Sequence, residues 1–79
     1  MSDAPPYDAR ITHVPGVMGG KATIRGMRMP VSTVLGLLAS GATADEILDA
    51  YPFLEPEDIN AALSYAAWRV QESDAPIPG

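Results

Sequence analysis

Cysteine is absent from the sequence, and histidine, tryptophan and phenylalanine occur once each. Without cysteine the chain has neither a disulfide framework nor a thiolate metal site, which fits a reducing compartment. No apolar run approaches the ~20 residues of a membrane span, and the acidic segment 1–10 lacks the basic start and apolar stretch of a secretory signal. We therefore predict a cytoplasmic protein with no membrane partner.

Basic residues are also few. The chain has five Lys and Arg against ten Asp and Glu, so its formal net charge is −5. Four of the five basic residues lie in the first 30 positions, where only two acids occur, and the remainder carries eight acids and one arginine. This polarity limits phosphate binding to the basic end and favours pairing with an oppositely charged partner or a second copy.

The scarcity of histidine also limits catalysis. His13 has no cysteine or second histidine at metal-ligand spacing, so we expect a structural residue at a strand end. The internal serines lack the glycine elbow of a hydrolase, and Gly20-Lys21 lacks the P-loop pattern because Ala22 stands where Ser or Thr is required. We therefore predict that the protein is not an enzyme and has no catalytic residue, metal site, cofactor or small-molecule substrate.

Proline and glycine divide the chain. Proline-containing ends predict flexible tails at 1–9 and 72–79, on either side of a single domain over 10–71. Within that domain, residues 10–29 read as a β ribbon and residues 30–71 as a three-helix bundle. The ribbon is predicted from short apolar segments at Ile11–Val14 and Lys21–Ile24, with a possible third strand at Met27–Met29.

Helix signals follow in order. Pro30 predicts the first residue of helix one, which runs to about Ala39, and Thr43 with Glu46 forms a capping box for helix two. Pro52 ends helix two, and Pro56 lies in the first turn of helix three. The short connections favour a compact bundle whose second and third helices have helix-turn-helix spacing.

Helix three carries two apolar strips. The first, which we expect to face the core, comprises Ile59, Ala62, Leu63, Ala66 and Val70. The second comprises Ala61, Tyr65 and Trp68. Either the ribbon of the same subunit or a partner protein covers this second strip. Because Trp and Tyr often anchor interfaces, Tyr65 and Trp68 are candidate partner contacts.

The order of these segments resembles the domain-of-unknown-function family 433, over about residues 10–67. The most specific parts are Gly-x-Arg-x-Pro-Val at residues 26–31 and Tyr-Pro at residues 51–52. The resemblance implies a mainly α, homeodomain-like three-helix (helix-turn-helix) domain with a short N-terminal β ribbon. It also implies a homodimeric, VapB-type antitoxin paired with a small PIN-like ribonuclease toxin.

The sequence departs from the family pattern at four positions, namely Ala22, Met27, Met29 and Glu55. Glu55 replaces the usual threonine cap and joins Glu57 and Asp58 at the start of helix three. Phosphates would repel three acids there, which argues against DNA reading by this helix.

The basic residues of the ribbon provide the other candidate contacts, namely Lys21, Arg25 and Arg28. Arg25 and Arg28 flank a glycine in a turn, so two guanidinium groups are available to carboxylates or phosphates. An alternative is that Arg28 pairs with an acid of helix two or three across the dimer.

Three functional hypotheses follow. The first is an antitoxin of a type II toxin–antitoxin system that binds and neutralises a PIN-like ribonuclease. The second is a helix-turn-helix regulator that binds operator DNA, including that of its own operon. The third is a dimeric structural module with neither activity.

Overall fold

A computed structural model describes residues 7–73. Its elements, in chain order, are strand β1 (Ile11–Thr12), a 3-10 turn (Met18–Gly20), strand β2 (Thr23–Ile24) and helices α1 (Val31–Ala39), α2 (Ala44–Ala50) and α3 (Pro56–Ser73). The predicted fold class is confirmed, since three helices follow a short antiparallel ribbon. Within the described residues, none of the helices has the length and apolar character needed to cross a membrane.

The ribbon is shorter than predicted. β1 pairs antiparallel with β2, with Ile11 opposite Ile24 and Thr12 opposite Thr23. Strand pairing ends after Thr12 because the chain turns just beyond it, where the amide of Val17 donates to the carbonyl of Val14. The possible third strand is reduced to an isolated bridge between Thr23 and Pro30.

The helix boundaries follow local chemistry. Pro30 is the N-cap of α1 rather than its first residue, because its extended backbone (ψ 141°) pairs with β2. The capping box of α2 is confirmed: the Glu46 amide donates to Thr43 Oγ1 at 3.1 Å, and the Thr43 amide donates to Glu46 Oε1 at 2.8 Å. Gly41, with φ of 98°, ends the first helical segment in a conformation that suits glycine.

The ribbon and all three helices share one core. Its buried apolar residues are Ile11, Ile24, Met29, Val31, Val34, Ile47, Leu54, Ile59, Ala61 and Ala62. The prediction that the first strip of α3 faces this core is wrong for Leu63 and Val70, which are 47% and 56% exposed. Because β1 packs against α3, the buried face of the helix includes Ala61 and is turned toward the ribbon.

Candidate functional site

The first turn of α3 contains a buried carboxylate. The Asp58 side chain is 0% exposed, and four N–H groups donate to it. Arg10 Nη1 lies 2.8 Å from Oδ1, Arg25 Nε lies 3.0 Å from Oδ1, and Arg25 Nη2 lies 2.8 Å from Oδ2. The fourth donor is the Glu55 amide, 2.8 Å from Oδ2. We call Asp58, Arg10, Arg25 and Glu55 the Asp58 cluster.

Charge and burial act on Asp58 in opposite directions. Burial alone would raise the pKa of the Asp58 carboxyl, but the hydrogen bonds from Arg25, the Glu55 amide and Arg10 lower that pKa to about 2. The hydrogen bonds of Arg10 to Glu55 and Asp58 raise the pKa of its guanidinium group, and those of Arg25 to Asp58 raise the pKa of Arg25. Arg10 also contacts Glu55 Oε1 at 2.6 Å, so the two arginines neutralise two of the three acids at the start of α3.

A tight turn places Arg25 in this cluster. Arg25 and Gly26 both have positive φ, 47° and 70°, and the Met27 amide donates to the carbonyl of Ile24 at 2.8 Å. This backbone matches a type I′ hairpin turn, which suits glycine at its second central position. The Gly26 amide donates to Thr12 Oγ1 at 2.8 Å, so the neighbouring strand also holds the turn.

A second feature is a groove lined by the ribbon region, α1 and α3. Its volume is about 530 Å³, and it is lined by His13, Lys21, Ala22, Val31, Ser32, Leu35, Tyr65 and Arg69. We call it the basic groove. It brings together two of the predicted contact residues, Lys21 and Tyr65, although 44 positions separate them in the chain.

Aromatic side chains border the basic groove. His13 lies between two tyrosines, with Nδ1 3.3 Å from the Tyr7 hydroxyl and Nε2 3.3 Å from the Tyr65 hydroxyl. Tyr7 also packs on Trp68, with ring centroids 5.1 Å apart, and meets Tyr65 edge-on at 4.9 Å. Residues of the same chain therefore contact the second strip of α3. His13 belongs to the ribbon predicted over 10–29, but Tyr7, which packs on Trp68, belongs to the segment 1–9 that was predicted to be a flexible tail.

The remaining predicted contacts occupy the hairpin tip. Arg25 is engaged within the chain, since it also donates to the Phe53 carbonyl at 3.0 Å. Arg28 is exposed and makes no ion pair with the described carboxylates of its own chain. The expectation of three repelling acids at the start of α3 needs correction, because only Glu57 lacks an arginine partner among the described side chains.

The sequence reasoning missed Arg10 and Arg69 and treated His13 only as a structural residue. Arg69 had a signal, since it lies four residues after Tyr65 and therefore on the same helix face. Arg10 had none, because its partner Asp58 is 48 positions away. Among the described residues, no group of three or more His, Asp or Glu side chains is arranged to hold a metal ion.

Comparison with known proteins extends these observations. The family model described as "Protein of unknown function (DUF433)" matches residues 11–66. The protein named "Uncharacterized protein y4eO" from Sinorhizobium fredii (strain NBRC 101917 / NGR234) is 38% identical over 56 residues, which are 71% of this chain and 25% of that protein. The chain thus spans about a quarter of that relative's length.

The fold has a counterpart among solved structures. The crystal structure of a DUF433 member protein from Anabaena variabilis ATCC 29413, at 2.00 Å resolution, matches with a TM-score of 0.73 and 40% sequence identity. The match covers 80% of this chain and 62% of that one. The family model matches more than half of the chain, from the first strand of the ribbon to Ala66, and this range includes most of the residues that line the basic groove. This chain therefore belongs to the DUF433 family.

Proposed function

We propose that this protein is a non-enzymatic antitoxin of a type II toxin–antitoxin system, which acts in the cytoplasm as a homodimer and neutralises a small PIN-like ribonuclease. The observation that carries the proposal is the basic groove, where Lys21 and Arg69 lie beside Tyr65 on a chain that is otherwise acidic. Cationic and aromatic side chains around a concavity form a binding surface for a protein with exposed carboxylates.

The chemistry of the expected partner fits this surface. A PIN-like ribonuclease has an active site rich in carboxylates, and a basic surface is electrostatically complementary to it. Arg28 at the hairpin tip provides a further exposed cation, while Tyr65 and Trp68 provide aromatic area. Arg25 contributes indirectly, because its contact with Asp58 fixes the turn that carries Arg28.

A DNA-binding regulator is the second candidate. Arg10 and Arg25 neutralise Asp58 and Glu55, which weakens the electrostatic objection to a phosphate backbone near α3. The helix itself still offers Glu57 and no basic residue before Arg69. If operator DNA is bound, its affinity will fall steeply with salt concentration, whereas a flat salt response would count against phosphate contacts.

The first experiment is an affinity pull-down of the tagged full chain from its native cells at natural expression, followed by mass spectrometry. We expect a small ribonuclease in near-equal amount, and we expect its RNA cleavage to be inhibited when the chain is added back. Recovery of the chain alone, or with DNA fragments, would contradict the antitoxin function. Light scattering at micromolar concentration tests the dimer, which a monomer mass would contradict.

Two double variants make the pull-down specific. Lys21→Gln with Arg28→Gln removes two exposed cations, and we expect it to lower recovery of the ribonuclease at least tenfold. Ala44→Glu with Asn60→Asp changes the net charge equally, at exposed positions near helix starts where acids are tolerated. This charge control should recover the ribonuclease normally. Arg25 is a poor choice for such a test, because its substitution would remove one of the two arginine partners of Asp58 and so lower the stability of the fold.

A further inference from the structure

We infer that the basic groove binds a short acidic segment of a partner protein, in which carboxylates flank an apolar side chain. This inference rests on the proposed function and specifies the chemistry of the partner segment. In this arrangement a segment of the partner enters a groove of this chain.

The charges lining the groove select an anion. Lys21 and Arg69 are exposed on its border, His13 belongs to the same lining, and no lining residue is acidic. Neither cation forms an ion pair with a described carboxylate. On a chain of net charge −5, two cations in one concavity whose lining contains no acid are a local exception that favours a carboxylate ligand.

The start of α1 adds to the positive potential. Val31 and Ser32, in its first turn, belong to the groove lining. That turn has no acidic residue, and its N-cap, Pro30, makes no side-chain capping bond. The Val31 amide donates to the Ala22 carbonyl at 3.0 Å, but no acidic side chain in this turn offsets the positive end of the helix dipole where it meets the groove.

The floor of the groove favours a ligand that has an apolar side chain next to its carboxylate. Leu35 from α1 and Ala22 from the ribbon, both half-buried, supply apolar surface, and the Tyr65 ring supplies an aromatic wall. The volume of about 530 Å³ lies within the range of roughly 300–1,000 Å³ that is typical of ligand pockets. A peptide with one apolar side chain between carboxylates matches both the floor and the border.

The same features disfavour nucleic acid as the occupant. A phosphate backbone presents a continuous row of charges, and the acidic remainder of this chain would repel that row. A short peptide places only one or two charges beside the two cations. The groove therefore suits a protein ligand better than a polyanion.

Selection from a random heptapeptide library displayed on phage tests the inference without knowledge of the partner. The immobilised full chain is compared with a groove variant, Lys21→Gln with Arg69→Gln, and with the charge control, Ala44→Glu with Asn60→Asp. We expect the wild type and the charge control to enrich peptides with Asp or Glu next to Leu, Ile or Phe. The groove variant should not enrich them.

Titration of an enriched peptide then quantifies the effect. Trp68 is the only tryptophan and its ring centroid lies 5.9 Å from that of Tyr65, so its fluorescence reports on the groove. We expect the groove variant to bind at least tenfold more weakly than the wild type, with the charge control within twofold. Absence of enrichment, or equal affinity in the groove variant, would overturn the inference.

Two further outcomes separate this inference from the proposed function. If the ribonuclease is recovered equally by the wild type and the groove variant, the antitoxin function stands and the groove assignment fails. If a 20-base-pair duplex displaces the peptide and loses affinity in the groove variant, the groove is a phosphate site and the peptide assignment is wrong.

Discussion

Arg25 donates two hydrogen bonds to the two carboxylate oxygens of Asp58, from Nε to Oδ1 at 3.0 Å and from Nη2 to Oδ2 at 2.8 Å. The two residues are 33 positions apart, one in the turn of the ribbon and the other in the first turn of α3. A two-point contact fixes orientation as well as distance. The ribbon and the helix that together line the basic groove are therefore joined by an ion pair outside the groove.

Asp58→Asn tests the contribution of this pair to stability. The substitution removes the charge that compensates Arg10 and Arg25 while it preserves the size of the side chain. We expect the free energy of unfolding to fall by about 2–3 kcal/mol, because both arginines and the Glu55 amide lose their charged acceptor. Urea denaturation at pH 7 measures the loss.

Glu57→Gln is the matched control for Asp58→Asn. Glu57 is the neighbouring acid on the same helical turn, but it is exposed and forms no ion pair with the described basic residues. Its effect on the free energy of unfolding should stay within about 0.5 kcal/mol. Equal effects of the two substitutions would mean that the buried ion pair adds nothing beyond the charge of the helix start.

Asp58 also makes stability depend on pH. Its pKa is about 2 in the folded chain against an ordinary value of 3.8, so the unfolded chain takes up a proton first as the pH falls. The stabilisation is present above about pH 5 and is lost toward pH 2, with a total of about 2 kcal/mol. The pKa of Glu46 is lowered too, by its capping-box hydrogen bonds with Thr43, and adds a loss in the same direction.

The difference between the wild type and Asp58→Asn isolates the Asp58 contribution, because Glu46 is present in both. We expect the gap in their free energies of unfolding to narrow by about 2 kcal/mol between pH 6 and pH 2. Denaturation curves at four or five pH values across this window suffice. A gap that stays constant with pH would contradict the lowered pKa of Asp58.

Gly26 and Gly36 form a second matched pair. No atom lies within 4 Å of the position that a Cβ would take at either glycine, so packing does not distinguish them. Gly26 has φ of 70° in the turn, and Gly26→Ala should cost about 1 kcal/mol through backbone strain. Gly36 lies inside α1, and Gly36→Ala should stabilise by about 0.5–1 kcal/mol through helix propensity. Changes of the same sign in thermal unfolding would contradict this assignment of strain.

Local signals in the sequence were sufficient to predict the helices. The capping box of Thr43 and Glu46, and the breaks at Gly41 and Pro52, act within a few residues and have the same effect in the folded chain. The lengths of the strands were overestimated. The position of the next turn limits the length of a strand, and β1 ends at Thr12 because the chain turns at Val14–Val17. Residue propensities alone predict strands that are too long, because they do not include the packing that limits strand length.

The site was less predictable for a related reason. Lys21, Tyr65 and Trp68 could be identified by residue type, but whether they meet depends on how the ribbon packs on α3. That packing is set by long-range contacts such as Arg10 with Asp58, for which the sequence carries no periodic signal. The same packing explains why Leu63 is exposed although it belongs to an apolar strip.

Tyr7→Ala tests whether the chain covers its own aromatic strip. Tyr7 packs on Trp68 and Tyr65, with centroid distances of 5.1 and 4.9 Å, and its hydroxyl lies 3.3 Å from His13 Nδ1. Removal of the ring should expose Trp68, shift its fluorescence to longer wavelengths and increase quenching by acrylamide. Loss of two aromatic contacts should also cost about 1–2 kcal/mol of the free energy of unfolding.

Tyr51→Ala is the control, because Tyr51 packs on Phe53 and lies outside the aromatic cluster of Trp68. If a partner subunit rather than Tyr7 covers the strip, Trp68 emission will instead change with protein concentration in the wild type and will not respond to Tyr7→Ala.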